Sequence, residues 1–143
     1  MGALDYYLDA SFLVALLTPE PFSDRAADFV RLNPAILTVS DFAAAEFAAA
    51  VGRRVRTKQS PLAEAMKDLS DFDRWLAQFA VRIEVSPDDV ALATSFLRRL
   101  DLPLRTPDAI HIAAVQRIGA TLVSFDLRMV ANARALGVPV ADA

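Results

Sequence analysis

The chain has 143 residues, 55% of them hydrophobic, and a net charge of −3. That length and apolar content suit one folded domain over 1–143 and argue against disorder, while no apolar run approaches the ~20 residues of a membrane span. With no cysteine and a single histidine, disulfides, thiolate or imidazole-rich metal sites and cysteine nucleophiles are all excluded.

Carboxylates are then the abundant metal-binding groups, and such hard oxygen ligands favour Mg2+ or Mn2+. The sequence pI of about 5.0 argues against a protein that meets nucleic acid with its whole surface. It leaves room for an enzyme whose acids gather in one site, where bound cations reverse the local sign. The opening segment, Met1 to Asp9, shows no basic stretch leading into an apolar one, so no secretory signal is expected and the expected location is cytoplasmic. Met1-Gly2 does not continue into a myristoylation pattern, because Tyr6 stands where Ser or Thr is required.

Leu4 to Ala10 reads as a strand rich in aliphatic and aromatic residues. Ser11 is placed to cap a short helix to about Leu17, which Thr18-Pro19-Glu20-Pro21 breaks. A second helix, about Phe22 to Leu32, carries Phe22, Ala26, Phe29 and Val30 on one side and stops at Asn33-Pro34. Ala35 to Val39 is a short apolar run of the kind found in buried parallel strands. Ser40 caps a helix of small apolar residues from Asp41 to about Arg54. Ser60-Pro61 opens a helix to about Ala80, with Leu62, Met66, Leu69, Phe72, Leu76 and Phe79 at helical spacing. Val81 to Val85 is a third strand. Ser86-Pro87-Asp88-Asp89 then starts a helix to about Leu100, with Asp89 placed to complete a capping box. After the Leu102-Pro103 loop, Thr106-Pro107 opens a helix that Gly119 closes. Ala120 to Ser124 is a fourth strand, Asp126 to Leu136 a last helix ended by Gly137, and Val138 to Val140 a short edge strand. Strands alternate with helices throughout, which predicts an α/β fold with a parallel sheet covered by helices on both faces.

In such a sheet, ligands bind beyond the carboxyl ends of the strands. Asp9 ends the first strand and Asp126 follows the fourth; Asp108 opens a helix after a loop, and Glu46 lies a little over a turn into the helix after the second strand. Every neighbour of Glu46 at three or four positions is apolar, so its carboxylate is expected to be partly buried and to need a compensating group. Each acid also has a structural alternative when taken singly. Glu46 can emerge at the solvent edge of its helix, and Asp9 can bond the backbone of the next helix. Asp108 suits a first turn by the helix dipole, and Asp126 suits a cap. As a set, four carboxylates at one sheet edge would repel unless cations neutralise them. With Mg2+ or Mn2+ bound, such a cluster suits phosphodiester hydrolysis.

The stretches Leu8-Asp9-Ala10-Ser11, Ala45-Glu46-Phe47, Thr106 to Ala114 and Leu122 to Asp126 together resemble the motifs of PIN domains. Their order, spacing and total length are similar to those of VapC toxins, over nearly the whole chain. The resemblance implies a three-layer α/β/α sandwich with a mainly parallel central sheet of four to five strands. It implies a Mg2+- or Mn2+-dependent endoribonuclease acting on RNA, the toxin of a toxin–antitoxin system, forming a homodimer and inhibited by a VapB-type antitoxin. Asp9, Glu46, Asp108 and Asp126 match the four acidic, metal-holding and catalytic positions. Ser11 and Ser124 match positions whose hydroxyl orients the acids or bound water, although Thr is commoner where Ser124 stands.

Arg53, Arg54, Arg56 and Lys58 form the densest basic segment, read either as an RNA or partner contact or as a solvated helix end. Arg105 precedes the Thr106-Pro107-Asp108 turn and is the better candidate for substrate phosphate. His111 could serve as a catalytic acid, but the metal chemistry needs no histidine and a structural use is preferred. Trp75, Phe72 and Phe79 read as core or dimer surface. Asp88 and Asp89 read as caps, with Asp41 and Asp101 in reserve for the site. A phosphoryl-transfer or receiver-like reading fails on Ser11, where a second Asp is wanted, and on Lys58 and Lys67, both misplaced. A noncatalytic PIN-like binding module would be signalled by loss of an acid. A structure-specific DNA nuclease would want an added DNA-binding segment, which this chain does not show.

Overall fold

A computed structural model describes residues 4–143; Met1 and Gly2, considered above for acylation, lie outside the described residues. Strands β1 (Asp5–Leu8), β2 (Ile36–Ser40), β3 (Ala80–Ile83) and β4 (Thr121–Val123) form one sheet in the order β3-β2-β1-β4. All three pairings are parallel, and Tyr7 of β1 stands opposite Thr38 on one side and Leu122 on the other. Parallel neighbours require crossovers. These are supplied by α1 (Ala10–Leu17), α2 (Ser23–Leu32), α3 (Asp41–Arg56), α4 (Leu62–Phe79), α5 (Pro87–Leu97) and α6 (Thr106–Ile118), with α7 (Leu127–Ala135) last.

The pleat sends Tyr6 and Leu8 to one face and Tyr7 to the other. Tyr6 and Leu8 pack with Phe12 of α1, Phe29 of α2, Phe47 of α3 and Phe72 of α4. Tyr7 and Leu122 pack with Ile112 and Val115 of α6 and Met129 and Ala133 of α7. Helix α5 lies on α6 through Ala93, Ala109 and Ala113, where small side chains allow close approach. The result is the expected α/β/α sandwich. The Val138–Val140 edge strand is reduced to one parallel bridge, between Leu122 and Val140.

Local signals account for several element ends. The Ser40 hydroxyl accepts from the Ala43 amide to cap α3, and Ser86 and Asp89 form the reciprocal capping box of α5. Gly119 closes α6 at φ 67°, a conformation that a Cβ would strain.

Other local expectations need correction. Asp9, not Ser11, caps α1, because its carboxylate accepts the Phe12 amide while Ser11 lies inside the first turn. Ser60 does not cap α4; Pro61 stands at that position in extended conformation with no side-chain cap bond. The apolar stripe expected along α4 is only half buried. Phe72 and Leu76 face inward with Ala65 and Asp68, while Leu62, Met66 and Phe79 are each more than 60% exposed. The stack of Phe47 on Phe72, centroids 4.3 Å apart, fits this rotation of the helix.

Candidate active site

From β1 the chain winds outward through β2 to β3, then returns to lay β4 on the other side of β1. A crevice therefore opens beyond the carboxyl ends of β1 and β4, the switch point of an open parallel sheet. Asp9 follows β1 directly and is the N-cap of α1; Asp126 lies just past β4 and is the N-cap of α7. Asp108 occupies the first turn of α6 and Glu46 projects from α3. All four acids line one cleft of about 210 Å³, together with Ser11, Arg105 and His111. Neither reserve residue, Asp41 or Asp101, lines it. Asp41 instead accepts the Val85 amide and Asp101 pairs with Arg99.

Asp9 is buried and held at both oxygens. Its Oδ1 accepts from the Ser11 hydroxyl at 2.7 Å and the Phe12 amide at 3.0 Å, and its Oδ2 accepts from the Ser124 hydroxyl. Ser124 also accepts the Asp126 amide at 3.0 Å, so one hydroxyl ties together the strand ends that carry two of the acids. Asp126 uses Oδ1 to accept the Arg128 and Met129 amides. Glu46 is about one-third exposed and uses Oε1 to accept from His111. Asp108 is buried, and its Oδ2 makes no hydrogen bond; the nearest cation is Arg105, with Nε 3.7 Å away.

Burial pushes the Asp9 carboxyl above its ordinary value, against the hydroxyl and amide bonds that favour its charged form. Burial also raises Asp108, helped by the negative charge of Asp126 and opposed by Arg105. A group raised in the folded state contributes stability that is fully present below its unfolded value, 3.8 for Asp. That contribution is lost as pH rises through the folded value. The metal-free protein is therefore expected to lose stability from these two groups as pH climbs from acid towards neutral. Asp9→Asn combined with Asp108→Asn should flatten that slope in urea unfolding with chelator between about pH 4 and pH 7. An unchanged slope would show that neither acid bears a burial cost.

The donor set suits a hard divalent cation. It consists of carboxylate oxygens, and among the described residues Glu46 Oε2, Asp126 Oδ2 and both oxygens of Asp108 accept no hydrogen bond. The acids share a cleft without forming a tight cage: among the described residues, no three Asp, Glu or His side chains stand close enough to grip one ion directly. Magnesium keeps several waters and needs few direct protein ligands, so this spacing is compatible with it.

Sequence reasoning missed the Glu46–His111 contact and the role of Tyr7. The Tyr7 hydroxyl lies 2.6 Å from His111 Nδ1 and 2.7 Å from the Ser40 hydroxyl. No local signal marks this chain of contacts; the one hint is the lone histidine one turn after Asp108 on a largely apolar helix. The basic segment divides in its use. Arg54 donates to the Thr18 hydroxyl at 2.7 Å, while Arg53, Arg56 and Arg54 line a depression of about 580 Å³ that reaches Glu46.

The PIN domain family profile matches residues 6–135. The chain belongs to the PIN domain family. Among solved structures, this PIN domain is similar to VapC20 of Mycobacterium tuberculosis, described as a sarcin–ricin loop cleaving toxin. The two share 19% identity at a TM-score of 0.75, over 96% of this chain and 99% of the other. It is also similar to DNA-bound VapBC of Salmonella typhimurium, with 15% identity and a TM-score of 0.73 over 97% and 98% of the two chains. For VapBC2 of Rickettsia felis, bound to a fragment of promoter DNA, the figures are 17%, 0.72, 96% and 98%. At these identities the likeness speaks to fold. No curated protein matches the chain in sequence. Among the described residues no helix is long and apolar enough to cross a membrane.

Proposed function

We propose that this PIN domain is a Mg2+- or Mn2+-dependent endoribonuclease and the toxin of a toxin–antitoxin pair, with Asp9, Glu46, Asp108 and Asp126 as its metal-holding acids. The observation that carries this reading is the convergence of four acids, distant in sequence, on one cleft at the switch point of the sheet. When bound, the metal supplies Lewis acidity, activating water and steadying the leaving oxygen of phosphodiester hydrolysis. The chain's own contribution is orientation. Ser11 and Ser124 hold Asp9 in one setting. Asp108 keeps a buried oxygen free of hydrogen bonds. Arg105, exposed at the rim, is placed to meet a substrate phosphate.

RNA as substrate is supported by the described activity of VapC20, and a VapB-type antitoxin by the VapBC complexes of similar fold. Leu62 and Met66, exposed and one turn apart on α4, offer apolar surface to the homodimer that completes the proposal. Matching of the family profile over 6–135 supports a single domain.

The test is cleavage of RNA by the purified chain with Mg2+ or Mn2+, with and without chelator, beside single-stranded and flap DNA. Metal-dependent cutting of RNA alone is expected. Cutting of DNA instead would move the assignment to a structure-specific DNA nuclease, and metal binding without cutting would leave a noncatalytic module.

A further inference from the structure

We propose that His111 is a positioning residue for Glu46. A buried chain of hydrogen bonds, from Ser40 through Tyr7 to His111, sets the direction in which Glu46 presents its free oxygen to the cleft. The proposal rests on the metal-site reading given above and adds a residue to it.

Glu46 stands on a helix face of alanines and phenylalanines that offer it no polar partner. Among the described residues, His111 alone hydrogen-bonds its side chain. A glutamate has three side-chain torsions, and with one oxygen untethered it would sweep a wide arc. The bond from Nε2 removes that freedom at Oε1 and leaves Oε2 for the cleft. A carboxylate only accepts, so the hydrogen between the two groups belongs to Nε2.

A positioning residue must itself be held, and His111 is held on every side. The residue is 1% exposed, its ring stacked on Phe42 at 5.0 Å between centroids and met edge-on by Tyr7. Its second nitrogen, Nδ1, lies 2.6 Å from the Tyr7 hydroxyl, which is in turn 2.7 Å from Ser40 Oγ. Ser40 is anchored by the Ala43 amide at the start of α3, the helix that carries Glu46. The chain of bonds thus starts and ends on one helix and passes through β2, β1 and α6 on the way. It fixes Glu46 relative to β1, which delivers Asp9, and to α6, which delivers Asp108. A histidine serving only the core would satisfy Nε2 with backbone or another buried group, not with a carboxylate that is one-third exposed and lines the cleft.

The test reads Mn2+ affinity from the paramagnetic signal of the free ion, with thermal melts beside it. It uses wild type, His111→Ala, His111→Gln, Tyr7→Phe, Glu46→Ala and the combination of Glu46→Ala with His111→Ala. His111→Ala is expected to weaken Mn2+ binding about 10–100-fold, the usual cost of removing an outer hydrogen-bond partner of a ligand. His111→Gln, which can return an N–H towards Glu46, should recover most of it. Tyr7→Phe, which removes the hydroxyl that meets both Nδ1 and Ser40 while leaving the Nε2 bond to Glu46, should cost a smaller factor and carries the test if His111→Ala does not fold. In the Glu46→Ala background, His111→Ala should leave Mn2+ affinity unchanged while still lowering the melting temperature. Wild-type affinity in His111→Ala or, failing that variant, in Tyr7→Phe overturns the proposal, as does an equal loss of affinity in both backgrounds. A wild-type chain that binds no Mn2+ overturns the metal-site reading and this proposal together.

Discussion

Asp9→Asn and Glu46→Gln are each expected to lower RNA cleavage by more than about 100-fold, beyond the usual cost of losing a mere partner of a metal ligand. Both changes keep shape and remove one negative charge. Asn at position 9 can still accept the Ser11 hydroxyl and Phe12 amide through its carbonyl oxygen. Its amide group then faces Ser124, whose hydroxyl must turn to accept. Gln at position 46 can still accept from His111 Nε2. Neither variant therefore loses the local hydrogen bonding that supports the fold; each loses an anionic oxygen. Thermal melts in chelator should show the Asp9 variant at least as stable as wild type, because its charge is buried without a cation. Undiminished cutting by either variant, at equal folded concentration, would rule out its acid as a metal-holding residue.

Arg117→Ala is expected to cost about 3 kcal/mol of stability, the low end for removing one partner of a buried ion pair. The low end applies because Arg117 is itself about one-third exposed and partly screened. Asp89 is 1% exposed and accepts from Arg117 at both oxygens, at 2.7 and 3.0 Å, as well as from the Ser86 amide. Burial alone would raise the Asp89 carboxyl, but the Arg117 and Ser86 bonds outweigh it and hold the carboxyl below its ordinary value. Without the guanidinium, the carboxylate stays buried inside the α5 capping box with its main countercharge gone. Adding Asp89→Asn to Arg117→Ala should recover much of the loss, since the uncompensated charge is then removed as well. Urea unfolding of wild type and the two variants checks this, and an Arg117→Ala midpoint equal to wild type would refute it. Helix α6 carries Asp108 and His111 as well as Arg117, so the pair also steadies the helix beneath the proposed site.

Much of the fold was legible from short-range pattern. The alternation of apolar runs with capped helices located every strand to within a few residues, and Ser40, Ser86 with Asp89, and Gly119 mark ends that the structure shares. The ends of α1 at Leu17 and α2 at Leu32 also fall where the proline breaks predict, but two other ends lie elsewhere. Helix α3 runs on to Arg56 and the chain then turns through Lys58 at φ 60°, while α5 stops at Leu97 ahead of Leu100 at φ 66°. A lysine or a leucine in left-handed conformation gives no warning, because only glycine and asparagine commonly mark that turn. Asp9 and Asp126 could be named because parallel-sheet geometry sends strand ends to one edge, whereas Glu46, inside α3, and Asp108, whose helix follows α5, joined the set through the resemblance to PIN motifs.

The linear order of residues determined the alternating βα architecture, the absence of thiolate and imidazole-rich sites and the acids nearest the strand ends, since each follows from composition or from spacing within a few residues. The tertiary structure alone decided which side chains those acids lean on. Glu46 meets His111 across 65 positions, Tyr7 meets His111 across 104, and Ser124 meets Asp9 across 115. Such contacts depend on β4 returning beside β1 and on how far each helix rotates over the sheet. The buried surface of the whole core sets that rotation, as the half-exposed stripe of α4 illustrates.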